Sequence, residues 1–146
     1  MKKTIIALSF IAILFSSCKK DNDSPKQVTP TQENLTGTYI ITAARVGNGG
    51  AYVNVFNNPD PNANFFEPCE RDDQYKLNAN LSYAVIDAGT ACSPTTADDT
   101  GTWSLTSATS ITMDGEVYTI KSFDGTTLVV TDTSGGPSYE VTFVKQ

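Results

Sequence analysis

Short alternating segments of apolar and polar residues run from Leu35 to the C-terminus of this 146-residue chain. In the segment 101–106, for example, Trp103 and Leu105 alternate with threonine and serine. A period of two puts the apolar side chains on one face of a β-strand. Short strands of this kind, separated by turn residues, are typical of an all-β sandwich or barrel.

The alternation predicts about eight strands, and Tyr52–Phe56 is compatible with a ninth. Asp114-Gly115 and Asp124-Gly125 are typical hairpin turns, because both residue types tolerate a positive φ. An open antiparallel sheet of this size would expose two edges, whereas closure into a barrel removes both. We therefore expect an all-β, antiparallel, up-and-down β-barrel over residues 35–146. Its predicted inner face contains Leu35, Tyr39, Ile41, Ala43, Tyr75, Leu77, Leu81, Tyr83, Val85, Trp103, Leu105, Ile111, Met113, Tyr118, Ile120, Leu128, Val130, Tyr139, Val141 and Phe143.

The N-terminus has the three parts of a secretory signal. Lys2 and Lys3 precede an apolar run, Ile5–Phe15, which is followed by two serines and Cys18. The run is too short to cross a bilayer core, which needs about 20 apolar residues. Residues 1–17 are therefore predicted to be a signal peptide.

The sequence Leu14-Phe15-Ser16-Ser17-Cys18 resembles the lipobox cut by the lipoprotein signal peptidase. This resemblance implies that Cys18 carries acyl chains and becomes the first residue of the mature protein. An ordinary signal peptide with an incidental cysteine is the alternative. Residues 18–34 are then the lipidated cysteine and a polar tether, predicted to be disordered because it has almost no apolar residue to bury. The expected location is the cell envelope, with the lipid in the outer membrane and the domain at the periplasmic face or the cell surface.

The charge of the chain excludes one class of partner. The signal region contains two lysines and no acidic residue, so the rest of the chain has a net charge of −8 rather than −6. An acidic surface repels phosphate backbones, and nucleic-acid binding is therefore not expected. The membrane, reached through the lipid on Cys18, is the expected partner, and the domain is expected to be a monomer.

Two cysteines remain after lipidation, Cys69 and Cys92. An even pair in an oxidising compartment favours a disulfide. Two free thiols and a metal site are the alternatives. The chain has no histidine, and two cysteines alone make a poor zinc site, so no metal is predicted.

No catalytic constellation is visible in the sequence. Without histidine there is no Ser-His or Cys-His pair. Asp72-Asp73 and Asp98-Asp99 are adjacent carboxylates, but neighbouring residues of a strand point to opposite faces. Turn formation is the favoured interpretation of both pairs. We predict neither an enzyme nor a cofactor.

The long segment 47–72 is rich in Gly, Asn and Pro, yet it also contains Phe65 and Phe66. Long loops in compact domains are usually functional or disordered. One hypothesis is a lid over the barrel mouth whose two phenylalanines touch a ligand. The other is that these side chains cover the outer core beneath a long loop.

Several segments in a fixed order resemble the lipocalin-like domains of Bacteroidetes lipoproteins. They are Leu35-Thr36-Gly37-Thr38-Tyr39, Cys69, Asp72-Asp73, Tyr75-Lys76-Leu77, Cys92 and Gly101-Thr102-Trp103-Ser104-Leu105. The resemblance spans about residues 35–144 and implies a small barrel that binds small apolar molecules. The chain departs from true lipocalins in having Tyr39 where the first strand has Trp, and in ending without a C-terminal helix.

Residues 36–42 and 100–106 match in register as Thr, Gly, Thr, aromatic, any, aliphatic, Thr. Tyr39 and Trp103 are the aromatic residues, and one hypothesis places both at one end of the barrel as its floor. The alternative is that barrel strands converge on such residues with no pairing between the two. The leading functional hypothesis is non-enzymatic binding of a small apolar or amphipathic molecule. Its candidate contact residues are Tyr39, Phe65, Phe66, Tyr75, Tyr83 and Trp103. The alternative is a surface interaction module, with a barrel filled by aromatic side chains and loops that bind a protein or glycan.

Overall fold

The computed structural model describes residues 26–48, 50–92, 99–132, 134 and 136–146. The predicted signal peptide, Cys18 and Asp98 lie outside the described residues. The described part contains one α-helical turn, nine strands and two short 3-10 turns. They are α1 (Gln32–Leu35), β1 (Gly37–Asn48), β2 (Ala51–Asn54), the 3-10 turns Pro61–Ala63 and Pro68–Arg71, β3 (Gln74–Leu77), β4 (Ser82–Ile86), β5 (Asp99–Ser107), β6 (Ser110–Met113), β7 (Glu116–Phe123), β8 (Thr127–Asp132) and β9 (Ser138–Lys145).

Eight of the described strands close into an antiparallel barrel in the order β1-β3-β4-β5-β6-β7-β8-β9. The ring closes because β1 pairs with β3 through its first residues and with β9 along most of its length. β5 to β9 form an antiparallel meander, each strand pairing with the next. The predicted all-β, up-and-down barrel is therefore confirmed.

β2 is the ninth strand, and it lies outside the ring, paired only with Arg45–Asn48 at the end of β1. It begins one residue before the predicted Tyr52–Phe56 and ends at Asn54. The reason is the Asn54 side chain, whose Oδ1 accepts the backbone N–H groups of Phe56 and Asn57 and so turns the chain.

A β-bulge in β1 changes which residues face the interior. The pairing with β9 shifts register between Ile41 and Ala43. Ala43 is therefore exposed and Ala44 is buried, so the prediction of Ala43 on the inner face is wrong.

The two predicted hairpin turns differ. Asp114 and Gly115 both have positive φ, 49° and 89°. At Asp124-Gly125 the structure has a positive φ only at the glycine. Asp124 instead accepts the backbone N–H groups of Thr126 and Thr127 with Oδ1, at 2.8 Å and 2.6 Å.

The predicted disorder of residues 18–34 is wrong for residues 27–34, which lie against one end of the barrel. Val28 donates its backbone N–H to the carbonyl of Phe123 at 2.7 Å. Thr31 and Asn34 form a reciprocal capping box that starts α1. The helix ends in Leu35, which is completely buried. The helix is a single turn with one buried leucine, so the sequence contains no repeat of apolar residues from which a helix could be recognised.

The buried side chains form two clusters inside the barrel. The larger lies at the α1 end, around Leu35, Tyr39, Trp103 and Phe123. The smaller lies under the loop that follows β2, and consists of Ile41, Ala44, Val55 and Phe56. In the part of the chain that the structure describes, no helix has both the length and the apolar character needed to span a membrane.

One acidic side chain, Glu140 of β9, is buried on the outer face of the barrel. Its carboxylate forms ion pairs with Arg45 of β1, at 2.5 Å, and with Lys121 of β7. Burial raises the pKa of Glu140, but the hydrogen bonds and charges of the two cations outweigh burial and leave the pKa below its usual value. These pairs bind three strands together on the side away from the interior.

Candidate ligand-binding site

A cavity of about 250 Å³ occupies the interior of the barrel. Its wall consists of inward-facing side chains from six strands together with one loop residue. Because the inward positions of these strands are mostly apolar or aromatic, the wall is almost entirely apolar or aromatic. The lining residues are Tyr39, Ile41, Phe66, Tyr75, Leu77, Ile111, Met113, Tyr118, Leu128, Val130, Asp132, Tyr139, Val141 and Phe143. An eight-stranded barrel is just wide enough to be filled by its own side chains or to hold one small ligand. The volume left here shows that this barrel is not filled.

Tyr39 closes the α1 end of the cavity. Its side chain is 1% exposed, and its hydroxyl donates to the carbonyl of Leu35 at 2.7 Å. Burial raises the pKa of Tyr39 to about 12. The neutral phenol therefore remains a hydrogen-bond donor that attaches α1 to the first strand.

Trp103 lies in the same buried cluster as Tyr39 and is 2% exposed. Its indole Nε1–H donates to the carbonyl of Asn78 in the β3–β4 connection at 3.0 Å. Both aromatic residues of the repeated segment are thus part of one packed floor, in agreement with the floor hypothesis. Tyr39 faces the cavity, whereas Trp103 does not line it.

The glycines of the repeated segment serve the same purpose at both sites, which is to make room for a charged side chain. A Cβ on Gly37 would lie 2.3 Å from Cε of Lys145, whose Nζ donates to the carbonyl of Asn34. A Cβ on Gly101 would lie 2.2 Å from a carboxylate oxygen of Asp114. A side chain at either glycine would displace the charged group from its partners.

Tyr83 does not line the cavity, because its hydroxyl is bound to Asp114 beside Gly101. Its hydroxyl donates to Oδ2 of Asp114 at 2.6 Å, while Oδ1 accepts the backbone N–H of Thr102 at 2.8 Å. The hydrogen bond to Asp114, followed by burial, raises the pKa of Tyr83 to about 12. The same hydrogen bond is the main cause of a lowered pKa at Asp114.

The loop after β2 covers part of the cavity with one of its two adjacent phenylalanines. Phe66 lines the cavity and packs edge-to-face on Phe56, with ring centroids 5.4 Å apart. Phe65 is 55% exposed and lies against Tyr139 at 5.9 Å. Of the two phenylalanines, Phe66 alone has the position over the cavity that the lid hypothesis predicts for both. The role of covering the core belongs to Val55 and Phe56, both buried.

The same loop is fixed by polar contacts and by a disulfide. Asn58 and Asn64 exchange two hydrogen bonds, with Asn58 N–H donating to Oδ1 at 2.7 Å and Asn64 Nδ2 donating back at 3.1 Å. Arg71 donates from Nη2 to the carbonyl of Phe66 at 3.2 Å. Cys69 and Cys92 form the predicted disulfide, which links the loop to the segment after β4.

Asp132 is the one charged residue among those that line the cavity. Its Oδ1 accepts the backbone N–H of Ser134 at 2.8 Å and the Ser134 hydroxyl at 2.7 Å. Burial is the largest cause of a raised pKa at Tyr118, and the negative charges of Asp132 and Glu116 add to it. Burial also raises the pKa of Tyr75 to about 12. Tyr75 and Tyr118 are thus neutral at physiological pH.

Two acidic groups outside the cavity, Glu67 and Asp72, have structural contacts. Glu67 lies beside the sulfurs of Cys69 and Cys92, but a disulfide offers no thiolate to a metal. Asp72 accepts the backbone N–H of Thr90 at 2.9 Å and so joins two loops. This contact is structural, but it joins distant loops and is not the local turn that the sequence predicts for the first aspartate pair.

Three of the six predicted contact residues line the cavity: Tyr39, Phe66 and Tyr75. The other three, Phe65, Tyr83 and Trp103, do not line it. Sequence reasoning placed Tyr118, Tyr139 and Phe143 on the inner face but did not select them as contacts. Alternation identifies the inner face, but it does not give the depth of a side chain along the barrel axis.

The chain matches the family described as lipocalin-like domain over residues 35–130, more than half of its length. This range begins at the buried Leu35 and ends in β8, in the wall of the cavity. No curated protein and no solved structure gives a significant match. The match and the closed eight-stranded barrel agree, and the chain therefore belongs to the lipocalin-like domain family.

Proposed function

We propose that this protein is a lipid-anchored, non-enzymatic binding protein that holds a small apolar or amphipathic molecule inside its barrel. The observation that carries the proposal is the apolar cavity of about 250 Å³. A lipocalin-like barrel suggests ligand binding in general, and an unfilled interior is what such binding requires.

The size of the cavity limits the ligand. Pockets for drug-sized molecules usually enclose roughly 300–1,000 Å³. An apolar cavity of about 150 Å³ is enough for benzene. The volume here suits a compact ring compound or a medium-length alkyl chain.

Anchoring rests on the N-terminal sequence. The apolar run Ile5–Phe15 is followed by two serines and Cys18, as in the lipoproteins of Bacteroidetes that the chain resembles. Two or more acyl chains on Cys18 would make attachment to the outer membrane stable. The segment from Cys18 to Lys26 would separate the lipid from the folded part of the chain, which begins by contacting the barrel at Val28.

The interaction-module alternative requires a barrel filled by aromatic side chains. Trp103 and Tyr83 do pack into the core. Tyr39, Tyr75, Tyr118 and Phe143, however, surround the open volume rather than occupy it. This arrangement favours ligand binding.

A calorimetric titration with 1-octanol tests the binding proposal. The full chain should carry Cys18→Ser, so that no acyl chain is attached and no detergent is needed. We expect saturable one-to-one binding, with a Kd of order 10–100 µM from burial of the alkyl chain after the cost of association. The heat capacity change should be negative, as for burial of apolar surface. Only non-saturable heats would overturn the proposal.

Cell fractionation tests the anchor. The unaltered protein should remain in the outer-membrane fraction, and Cys18→Ser should move it to the soluble fraction. Ser17→Ala is the matched control, because it keeps the cysteine and a small residue before it. Retention of the Cys18→Ser protein in the membrane would contradict lipid anchoring through this residue.

A further inference from the structure

The charge around the cavity distinguishes between classes of ligand. Asp132 is the one charged residue among the lining residues, and no lysine or arginine lines the cavity. The Asp132 carboxylate is held by the backbone N–H and the hydroxyl of Ser134. The polar end of a bound amphiphile would therefore meet a fixed negative charge.

Neighbouring groups add to this negative field. Burial is the largest cause of the raised pKa of the Tyr118 phenol, and the negative charges of Asp132 and Glu116 raise it further. Both carboxylates are therefore close enough to act on the phenol. On the other side of the cavity, Asp73 and Glu70 act on Tyr75 in the same way, again after burial.

Arg71 is a described cation in the same loop as Phe66. Its guanidinium donates to the carbonyl of Phe66 and to Oδ1 of Asn57, and it does not line the cavity. Two nitrogens of the guanidinium are therefore engaged with neutral loop acceptors, outside the wall of the cavity.

The wall of the cavity also favours a cation. Five aromatic side chains besides Tyr39 line it, namely Phe66, Tyr75, Tyr118, Tyr139 and Phe143. The faces of aromatic rings attract ammonium groups, and more strongly when the groups are removed from water. A carboxylate in the same place would meet the negative faces of these rings and the charge of Asp132.

We propose that the cavity selects amphiphiles with a cationic polar end, such as an alkylammonium, over those with a carboxylate, and that Asp132 is the residue that determines this preference. The inference rests on the proposed function, since it assigns the ligand class of the same site. The alkyl or ring part would lie toward Tyr39 and Leu77, and the ammonium beside Asp132 and Tyr118.

Three probes of equal chain length test the proposal: octylammonium, octanoate and 1-octanol. Each is titrated calorimetrically into the full chain carrying Cys18→Ser, at pH 7 and about 0.15 M salt, where charges farther apart than about 8 Å are largely screened. We expect octylammonium to bind about tenfold more tightly than octanoate. The negative charge of Asp132, a few ångströms away, would attract the ammonium group and repel the carboxylate.

Asp132→Asn should reduce this ratio to about one, since the charge is removed while an acceptor for Ser134 remains. Asp124→Asn is the matched control. Asp124 also accepts two hydrogen bonds in a turn, but at the α1 end of the barrel, and its replacement changes the net charge equally. The control should keep the tenfold ratio. Thermal unfolding of both variants monitors the fold.

The titrations distinguish failure of the charge selectivity from failure of the proposed binding function. If 1-octanol binds but octanoate binds as tightly as octylammonium, the charge selectivity is wrong and the binding site stands. An equal loss of the ratio in Asp132→Asn and Asp124→Asn would assign the effect to net charge and overturn the role of Asp132. If none of the three probes binds, both proposals are overturned.

Discussion

Trp103→Ala is expected to lower the free energy of unfolding by about 3–5 kcal/mol, the usual cost of replacing a buried tryptophan with alanine. The Trp103 side chain is 2% exposed and lies in the floor cluster with Leu35 and Tyr39. Its removal would leave a void that the barrel cannot close, because the neighbouring strands are fixed by their hydrogen-bonded ladders. It would also remove the donor to the carbonyl of Asn78. Urea unfolding at constant pH measures the change.

Val117→Ala provides the comparison for this variant. Val117 is in β7 and is 59% exposed, so its truncation should change the free energy of unfolding by no more than about 0.5 kcal/mol. A loss below about 1 kcal/mol for Trp103→Ala would show that Trp103 does not hold the floor of the barrel.

Val141→Trp is expected to abolish binding of 1-octanol, with a loss of affinity of at least about 100-fold, because the ring would occupy the volume that the ligand needs. Val141 lines the cavity in β9, between Ala44 of β1 and Val130 of β8. Filling a cavity with a larger side chain can cost about 1–3 kcal/mol when the fit is imperfect. The barrel should nevertheless fold, and this is checked by its thermal unfolding transition. Calorimetry with 1-octanol measures the loss of binding.

Thr142→Trp is the matched control for the cavity-filling variant. Thr142 is the next residue of the same strand, so its side chain points to the outer face. The same ring added there should leave 1-octanol affinity unchanged within about twofold. If the two variants lose affinity equally, the ligand does not bind in the cavity.

The alternation of apolar residues was sufficient to predict the fold, because closure of about eight short antiparallel strands leaves few alternatives to a barrel. It failed at Leu81, which has a positive φ and is exposed just before β4 begins. It failed at Ala43 because a bulge changes the face of every residue after it. Odd-numbered residues therefore face the interior in the first half of β1, and even-numbered residues face it after the bulge. Only the pairing with β9 shows where this change occurs.

Residues 27–34 were mistaken for part of the tether because their stabilisation is not local. Val28 has one backbone hydrogen bond to Phe123, nearly a hundred residues away, and Leu35 is buried only because the end of the barrel is open to receive it. Composition alone cannot show such contacts. The Thr31–Asn34 capping box was the available signal.

The sequence placed three of the six candidate contact residues in the wall of the cavity, and two features account for the other three. Tyr83 and Trp103 alternate correctly, yet each is held away from the cavity by a specific hydrogen bond, to Asp114 and to the carbonyl of Asn78. Phe65 and Phe66 are neighbours, and only the path of the loop decides which of them faces inward. These are properties of depth and loop geometry, which a pattern of period two does not contain.

Native mass spectrometry tests ligand binding in the barrel most directly. The full chain with Cys18→Ser is purified from the producing bacterium without denaturation, and its mass is compared with that of the denatured protein and of the chain that also carries Val141→Trp. Binding in the cavity predicts an additional small mass that is lost on denaturation and is absent from the Val141→Trp protein. A bare protein mass, unchanged after incubation with octylammonium, 1-octanol and a total lipid extract, would contradict ligand binding and leave the barrel as a scaffold for its loops.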